Sequence, residues 1–126
     1  MILLTPELRE RLLANGSNPD TDHIPVVKFF NPLGAATWLA TELDADNDTL
    51  FGLADLGFGC PELGSFSFSE IASLRLSLGM GIERDILFEG KFPISAWAEA
   101  ARETGSISAA ERVLYAAARH GPEEGT

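Results

Sequence analysis

The chain has 126 residues, of which 45% are hydrophobic, and this is enough apolar material for one compact domain rather than a disordered chain. The net charge of −10 argues against direct binding to nucleic acid, because the nine basic residues are spread along the sequence. The single cysteine, Cys60, excludes an internal disulfide framework and a cysteine-based zinc site, and it fits a reducing cytosol. We find no signal peptide and no apolar run of about 20 residues, so we expect a cytoplasmic protein without a membrane span.

The first predicted element is an N-terminal helix. It begins at the N-cap Thr5, with Pro6 at the first helical position, and it ends at Asn15-Gly16. The composition of residues 17–25 predicts a loop.

Four segments rich in β-branched and aromatic residues follow, and each is predicted to be a strand. They are residues 26–30, 36–44, 49–56 and 65–69. In the second segment apolar residues occupy both alternating faces, which predicts a strand covered on both sides. In the fourth, Phe66 and Phe68 alternate with serines and are predicted to point inward. The loops between the middle strands are too short for helical crossovers, so neighbouring strands should be antiparallel.

A short helix is predicted from Ser69-Glu70 to Gly79, with Ile71, Leu74 and Leu78 on one face. A further strand is predicted over 82–90, with Ile86 and Phe88 on one face.

Two helices are predicted near the C-terminus. Ser95 is the predicted N-cap of the first, and Gly105 is its predicted end. Ser108 and Glu111 form a predicted capping box at the start of the last helix, which Gly121 ends.

The order of these elements predicts an α+β fold with a largely antiparallel sheet of about four to five strands. An N-terminal helix, a short middle helix and two C-terminal helices complete a single domain over residues 1–121. Residues 122–126 are predicted to be a frayed tail.

The stretch "LDADNDTLFGLAD" has the spacing of a calcium loop, with Asp44, Asp46 and Asp48 at its first, third and fifth places. Thr49 stands where glycine is required, Asp55 replaces the usual Glu, and both flanks are predicted strands rather than helices. Asp and Asn are also typical turn residues. We therefore predict a hairpin tip, with no metal site and no cofactor.

Five polar residues of the predicted strands are candidate binding residues: Glu42, Asp44, Asp55, Glu83 and Arg84. The carboxylates would converge only if their strands are neighbours, as a paired-carboxylate hydrolase requires. Glu83 and Arg84 are consecutive, so their side chains should point to opposite faces of the sheet. A buried Arg84 would need an ion-pair partner such as Glu42 or Asp55, or it would bind a carboxylate or phosphate of a ligand. No residue is assigned a catalytic role.

Several segments, taken in order, resemble a bacterial family. They are "LLTPELRERLLANG", "VVKFFNPLGAATWLATELD", "FGLADLG", "ELGSFSFSEI" and "GIERDILFEG". The family that they resemble is known only as domain of unknown function number 2958, and the similarity covers about Leu3 to Phe92. It implies a small stand-alone bacterial protein whose relatives often travel with plasmids and other mobile elements, and it implies no activity. Residues 93–121 look longer than the usual family ending, so we interpret them as a helical extension.

Four functions stay open. The acidic charge, small size and lack of a catalytic motif favour a non-catalytic protein-interaction or accessory module of a mobile element, with a partner that has a basic surface. Its C-terminal helices would either supply the contact surface, with Trp97 as an anchor, or simply cover the sheet. The alternatives are a small enzyme with a carboxylate and arginine site on the sheet, a DNA-mimic anti-defence protein, and a structural or dimer-forming role. The sequence does not predict an oligomeric state.

Overall fold

The computed structural model describes residues 1–120, and it confirms the α+β class with an N-terminal helix and an antiparallel sheet. In chain order the elements are α1 (Pro6–Gly16), β1 (Val27–Phe30), β2 (Thr37–Leu43), β3 (Thr49–Asp55), β4 (Glu62–Ser67), α2 (Phe68–Ser73), a 3₁₀ turn (Ser77–Gly79), β5 (Glu83–Arg84), α3 (Ile94–Thr104) and α4 (Ile107–His120). The predicted end of the last helix at Gly121 and the predicted tail at 122–126 lie outside the described residues. Within residues 1–120, no helix is long and apolar enough to cross a bilayer.

The five strands form one sheet in the order β4-β3-β2-β1-β5, and every neighbouring pair is antiparallel. The first four strands are a meander, as their short connections predict, whereas β5 returns to the far side of β1. A bulge between Ala40 and Glu42 inserts Thr41 into β2 opposite β3. The sheet therefore ends in a long edge strand on one side and a two-residue edge strand on the other.

Helices cover both faces of the sheet, which explains why all seven residues of β2 are buried, as the sequence predicts. One apolar cluster joins α1 and α2 to the sheet through residues such as Leu12, Phe29 and Ile71. The opposite cluster joins α3 and α4 to Leu39 and Leu53. The sheet is therefore the middle layer of three.

The N-terminal helix has the predicted boundaries and packs closely on the sheet. The Thr5 hydroxyl accepts the N–H of Leu8 at 3.3 Å, and Pro6 occupies the first helical position. A Cβ at Gly16 would lie only 2.2 Å from the carbonyl oxygen of Leu43. Only glycine therefore permits the last turn of α1 to contact β2.

Two middle elements are shorter than predicted. The helix predicted to reach Gly79 is wrong, because α2 ends at Ser73 and both Leu74 and Leu78 are exposed. The helix α2 also begins earlier than predicted, at Phe68, so the prediction that Phe68 and Ser69 belong to a strand is wrong. Ser67 is the N-cap of α2, since its hydroxyl accepts the N–H of Glu70 at 3.1 Å. The Asp48 carboxylate supports this start, because it accepts the Ser69 N–H at 2.8 Å and the Ser67 hydroxyl at 2.7 Å.

The strand predicted over 82–90 is reduced to β5, which pairs only with Phe29 and Phe30 at the end of β1. The chain then turns, because the Asp85 carboxylate accepts the N–H of Leu87 at 3.0 Å. Ile86 is exposed rather than directed at the core. The turn at Asp85 therefore ends β5, although β1 continues for two more residues, Val27 and Lys28, on that side.

The helix α4 has a different N-cap from the predicted one. The Ser106 hydroxyl, not that of Ser108, accepts the first-turn N–H of Ala109 at 3.0 Å. Glu111 binds Lys28 at 2.8 Å instead of the backbone of its own helix. Gly105, with a φ of 90°, ends α3 as predicted.

The helix α3 also begins two residues earlier than predicted, at Ile94 after Pro93. Ser95 does not cap it, because the Ser95 hydroxyl and N–H both donate to the Asp22 carboxylate. The Ser95 cap prediction is therefore wrong.

Candidate functional site

The acidic stretch after β2 is the tip of the β2–β3 hairpin, as predicted, and strands rather than helices flank it. One Asp46 oxygen accepts the N–H groups of Asp48 and Thr49, and the other accepts the Thr49 hydroxyl at 2.6 Å. These bonds lower the pKa of Asp46, and the bonds from Ser67 and Ser69 lower the pKa of Asp48. Among residues 1–120, no group of three His, Cys, Asp or Glu side chains is placed to hold a metal ion.

A cleft of about 800 Å³ opens at the opposite end of the sheet, against the N-terminus of α4. Four parts of the chain enclose it: the β1–β2 turn, the start of the β3–β4 loop, β5 with the turn that follows it, and the α3–α4 junction. Clefts of this size commonly hold ligands or partner segments.

The floor of the cleft is a row of residues that lie opposite one another across four strands. Glu83 pairs with Phe30, Phe30 with Thr37, and Thr37 with Asp55. All four line the cleft. Three strand spacings of about 4.8 Å therefore separate Glu83 from Asp55, so their Cα atoms are roughly 14 Å apart.

Three of the five candidate residues line this cleft, namely Asp55, Glu83 and Arg84. The other two, Glu42 and Asp44, are not among its lining residues. Asp44 belongs to the hairpin tip at the other end of β2.

Asp55 is almost completely buried, with 2% of its surface exposed. One carboxylate oxygen accepts the N–H of Gly57, and the other accepts the buried N–H of Ile107, each at 2.9 Å. Ile107 is the first residue of α4, where a negative charge is favoured by the helix dipole. Asp55 therefore attaches the β3–β4 loop and the start of α4 to the end of β3.

Glu83 and Arg84 lie on opposite faces of β5, as predicted, because Glu83 faces Phe30 whereas Arg84 faces Phe29. Neither Glu42 nor Asp55 is an ion-pair partner of Arg84. Its guanidinium donates to the carbonyl of Ile2 at 3.3 Å, and its buried Nε–H has no acceptor within the described residues. The half-buried carboxylate of Glu83 makes no hydrogen bond or ion pair with the part of the chain that is described.

Lys28 is a lining residue that the sequence analysis did not single out. Its ammonium lies 2.8 Å from a Glu111 oxygen and 3.7 Å from an Asp85 oxygen. A lysine between the apolar residues Val27 and Phe29 is the signal that could have marked it, since a half-buried ammonium needs anionic partners. Its partner Glu111 is 83 residues away in sequence, so no local pattern indicates the pair.

Glu42 is a separate buried carboxylate, with 9% of its surface exposed. Burial raises its pKa above the ordinary value, while the charge of His23 acts against this and that of Asp44 adds to it. It lies one residue before the end of β2, a strand whose seven residues are all buried, and this explains the desolvation.

The mouth of the cleft carries large exposed apolar side chains. Ile86 and Leu87 line the cleft and are 68% and 85% exposed. Phe58, which is 82% exposed, lies between the lining residues Gly57 and Gly59. Apolar groups gathered around a concavity are typical of a contact surface.

An antiparallel sheet with helices on both faces, and a mixed polar and apolar cleft at one end, defines a small single-domain α+β protein. The chain belongs to the family described as protein of unknown function (DUF2958), whose model matches residues 3–108. The match continues past Phe92 and includes α3 and the first residues of α4. No curated protein and no solved structure matches the chain.

Proposed function

We propose that this protein is a non-catalytic protein-interaction module, an accessory protein of plasmids or other mobile elements, and that its partner docks a basic surface at the cleft. The observation that carries the proposal is the exposed apolar mouth formed by Ile86 and Leu87, with the exposed Phe58 in the adjoining loop. Burying such side chains against a partner is favourable, and they resemble the anchors of known interfaces. The association with mobile elements is supported by the family resemblance alone.

The polar groups of the cleft support binding rather than catalysis. Both oxygens of Asp55 accept backbone N–H groups, and Asp85 accepts the N–H of Leu87 and contacts Lys28. A paired-carboxylate hydrolase needs two carboxyl groups that are free to act on the substrate. Asp55 does not meet this need, because both of its oxygens already accept backbone N–H groups. The small-enzyme alternative would therefore have to use Glu83 without Asp55 as its pair.

A matched pair of variants tests the proposal. Leu87→Ser removes an apolar group at the cleft mouth, whereas Leu78→Ser removes an equally large group that is 91% exposed in the Ser77–Gly79 turn, away from the cleft. Tagged wild-type protein and both variants are used to capture proteins from a lysate of the bacterium of origin, with quantification by mass spectrometry. We expect one partner to be retained by wild type and Leu78→Ser, and to fall about tenfold with Leu87→Ser, a loss typical of an anchor.

The partner should be released by added salt, because a basic surface meets a protein of net charge −10. Equal retention by the two variants, with circular dichroism showing both folded, would contradict docking at the cleft. A captured DNA-binding protein that duplex DNA displaces would instead support the DNA-mimic alternative.

A further inference from the structure

The charge inside the cleft is negative although a lysine and an arginine line it. The Lys28 ammonium is neutralised by Glu111 at 2.8 Å and Asp85 at 3.7 Å. Arg84 lies on the other face of β5 and donates to the carbonyl of Ile2. The guanidinium of Arg84 has no carboxylate partner, and its Nε–H has no acceptor within the described residues, so its positive charge stays unpaired. On the face of the sheet that carries Glu83, however, the lining lysine Lys28 is already paired, and Glu83 is not.

Glu83 is the carboxylate with no other bonding role. Asp55 is committed to two backbone N–H groups, and Asp85 to a backbone N–H and to Lys28. Glu83 has no partner among the described residues, although it is half-buried on the cleft floor beside Phe30. A partly desolvated carboxylate is stabilised when a cation approaches it.

The cleft has apolar side chains at its mouth and a carboxylate on its floor. Ile86 and Leu87 stand at the mouth, and Glu83, three and four residues before them in the chain, lies on the cleft floor. A side chain that contacts both the apolar mouth and the carboxylate must combine an apolar stem with a cationic end, as arginine and lysine do. Apolar residues next to it in the partner would cover the mouth.

We propose that the cleft binds a partner segment in which an arginine or lysine is flanked by apolar residues, and that Glu83 receives the cationic end. This inference rests on the proposed interaction function and names its chemistry. Guanidinium and carboxylate form paired hydrogen bonds, so arginine is the better probe.

The probe is a fluorescent pentapeptide, Gly-Leu-Arg-Leu-Gly, and its twin carries citrulline, a neutral group of the same shape, in place of arginine. Binding to the full chain is measured by anisotropy, and the shifted amide signals are mapped by NMR. Glu83→Gln is compared with Glu103→Gln, which removes the same charge at an exposed position of α3 outside the cleft. We expect the arginine peptide to shift the amide NMR signals of residues 83–87. It should also bind about threefold more tightly than the citrulline peptide, a difference typical of a partly exposed ion pair.

Glu83→Gln should abolish that preference, and Glu103→Gln should retain it. Equal binding of the two peptides to wild type, weakened alike by Leu87→Ser, would overturn the cation site but leave the interaction function standing. Absence of binding at millimolar peptide would also overturn the cation site, while the capture experiment tests the interaction function separately. Cleft signals that shift with protein concentration alone would assign the site to a second copy and overturn the inference.

Discussion

At the scale of single residues, the carboxylates of this protein differ in what surrounds them rather than in their sequence context. Asp46, Asp48 and Asp55 bind neighbouring N–H or hydroxyl groups and hold turns and helix starts in place. Glu42 is buried in the sheet, and Glu83 has no partner among the residues described. Of these five residues, only Glu83 has a carboxylate that remains available to a partner at the cleft.

The buried carboxyl of Glu42 makes stability depend on pH. Because burial raises its pKa above 4.5, the folded protein binds this proton more tightly than the unfolded chain does. The resulting stabilisation is complete below the unfolded pKa and is lost as pH rises through the folded pKa. We expect the free energy of unfolding of Glu42→Gln, relative to wild type, to increase between about pH 4 and pH 7.

Urea unfolding followed by circular dichroism at several pH values measures this difference. Glu99→Gln, at an exposed position of α3, is the control for the loss of one negative charge. A Glu42→Gln difference that stays constant over the pH range would contradict the expected desolvation.

At the scale of elements, carboxylates that are distant in sequence bind the first turns of two helices. Asp48 accepts the N–H of Ser69 in α2, and Asp55 accepts the first N–H of α4. The predicted capping box at Ser108 and Glu111 does not form. Ser106 caps the helix instead, and the Glu111 carboxylate binds the Lys28 ammonium. Local patterns therefore predict that a helix exists better than they predict its first residue.

Asp55→Ala should weaken the junction between β3 and α4. It removes the acceptor of the buried Ile107 N–H, and an unsatisfied buried donor costs about 1–3 kcal/mol. We expect the free energy of unfolding to fall by about that amount, and the Ile107 amide to exchange faster with solvent.

Asp55→Asn is the matched control, because it keeps one acceptor oxygen and should lose less stability. Urea unfolding and hydrogen exchange measure both variants. Unchanged exchange at Ile107 in Asp55→Ala would show that the carboxylate does not hold α4.

At the scale of the whole molecule, α3 and α4 complete the core, since they bury the second face of the sheet. Trp97 is fully buried and packs against the rings of Phe88, Phe92 and Tyr115. The Tyr115 hydroxyl also donates to the carbonyl of Glu89, which joins α4 to the segment after β5. These contacts favour the interpretation that the helices cover the sheet.

Trp97→Ala should therefore destabilise the fold by about 3–5 kcal/mol, as expected for a large ring removed from a packed core. Val113→Ala, at a 52% exposed position of α4, is the control and should change stability by less than about 0.5 kcal/mol. Chemical unfolding followed by circular dichroism measures both variants. A Trp97→Ala protein that keeps its stability but loses its captured partner would identify the helices as the contact surface.

The class of fold, the N-terminal helix and the meander of four strands could be predicted from the sequence alone. These are set by local periodicity, by turn residues such as Asn31-Pro32, and by loops too short for crossovers. The family was also recognisable, because the order of segments from Leu3 onward is linear information. Polar residues on otherwise apolar strands are conspicuous in sequence, and three of the five candidates chosen in this way line the cleft.

The position of the cleft, the role of Asp55 and the short length of β5 depend instead on the packing of the whole chain. Lys28, Asp55, Glu83 and Glu111 come from four distant parts of the chain, and their contacts depend on the register of β5 against β1 and the docking of α4. Register and docking are properties of packed surfaces, to which local propensity contributes little. Whether a carboxylate binds the start of a helix or has no hydrogen-bond partner is therefore decided by its neighbours in space.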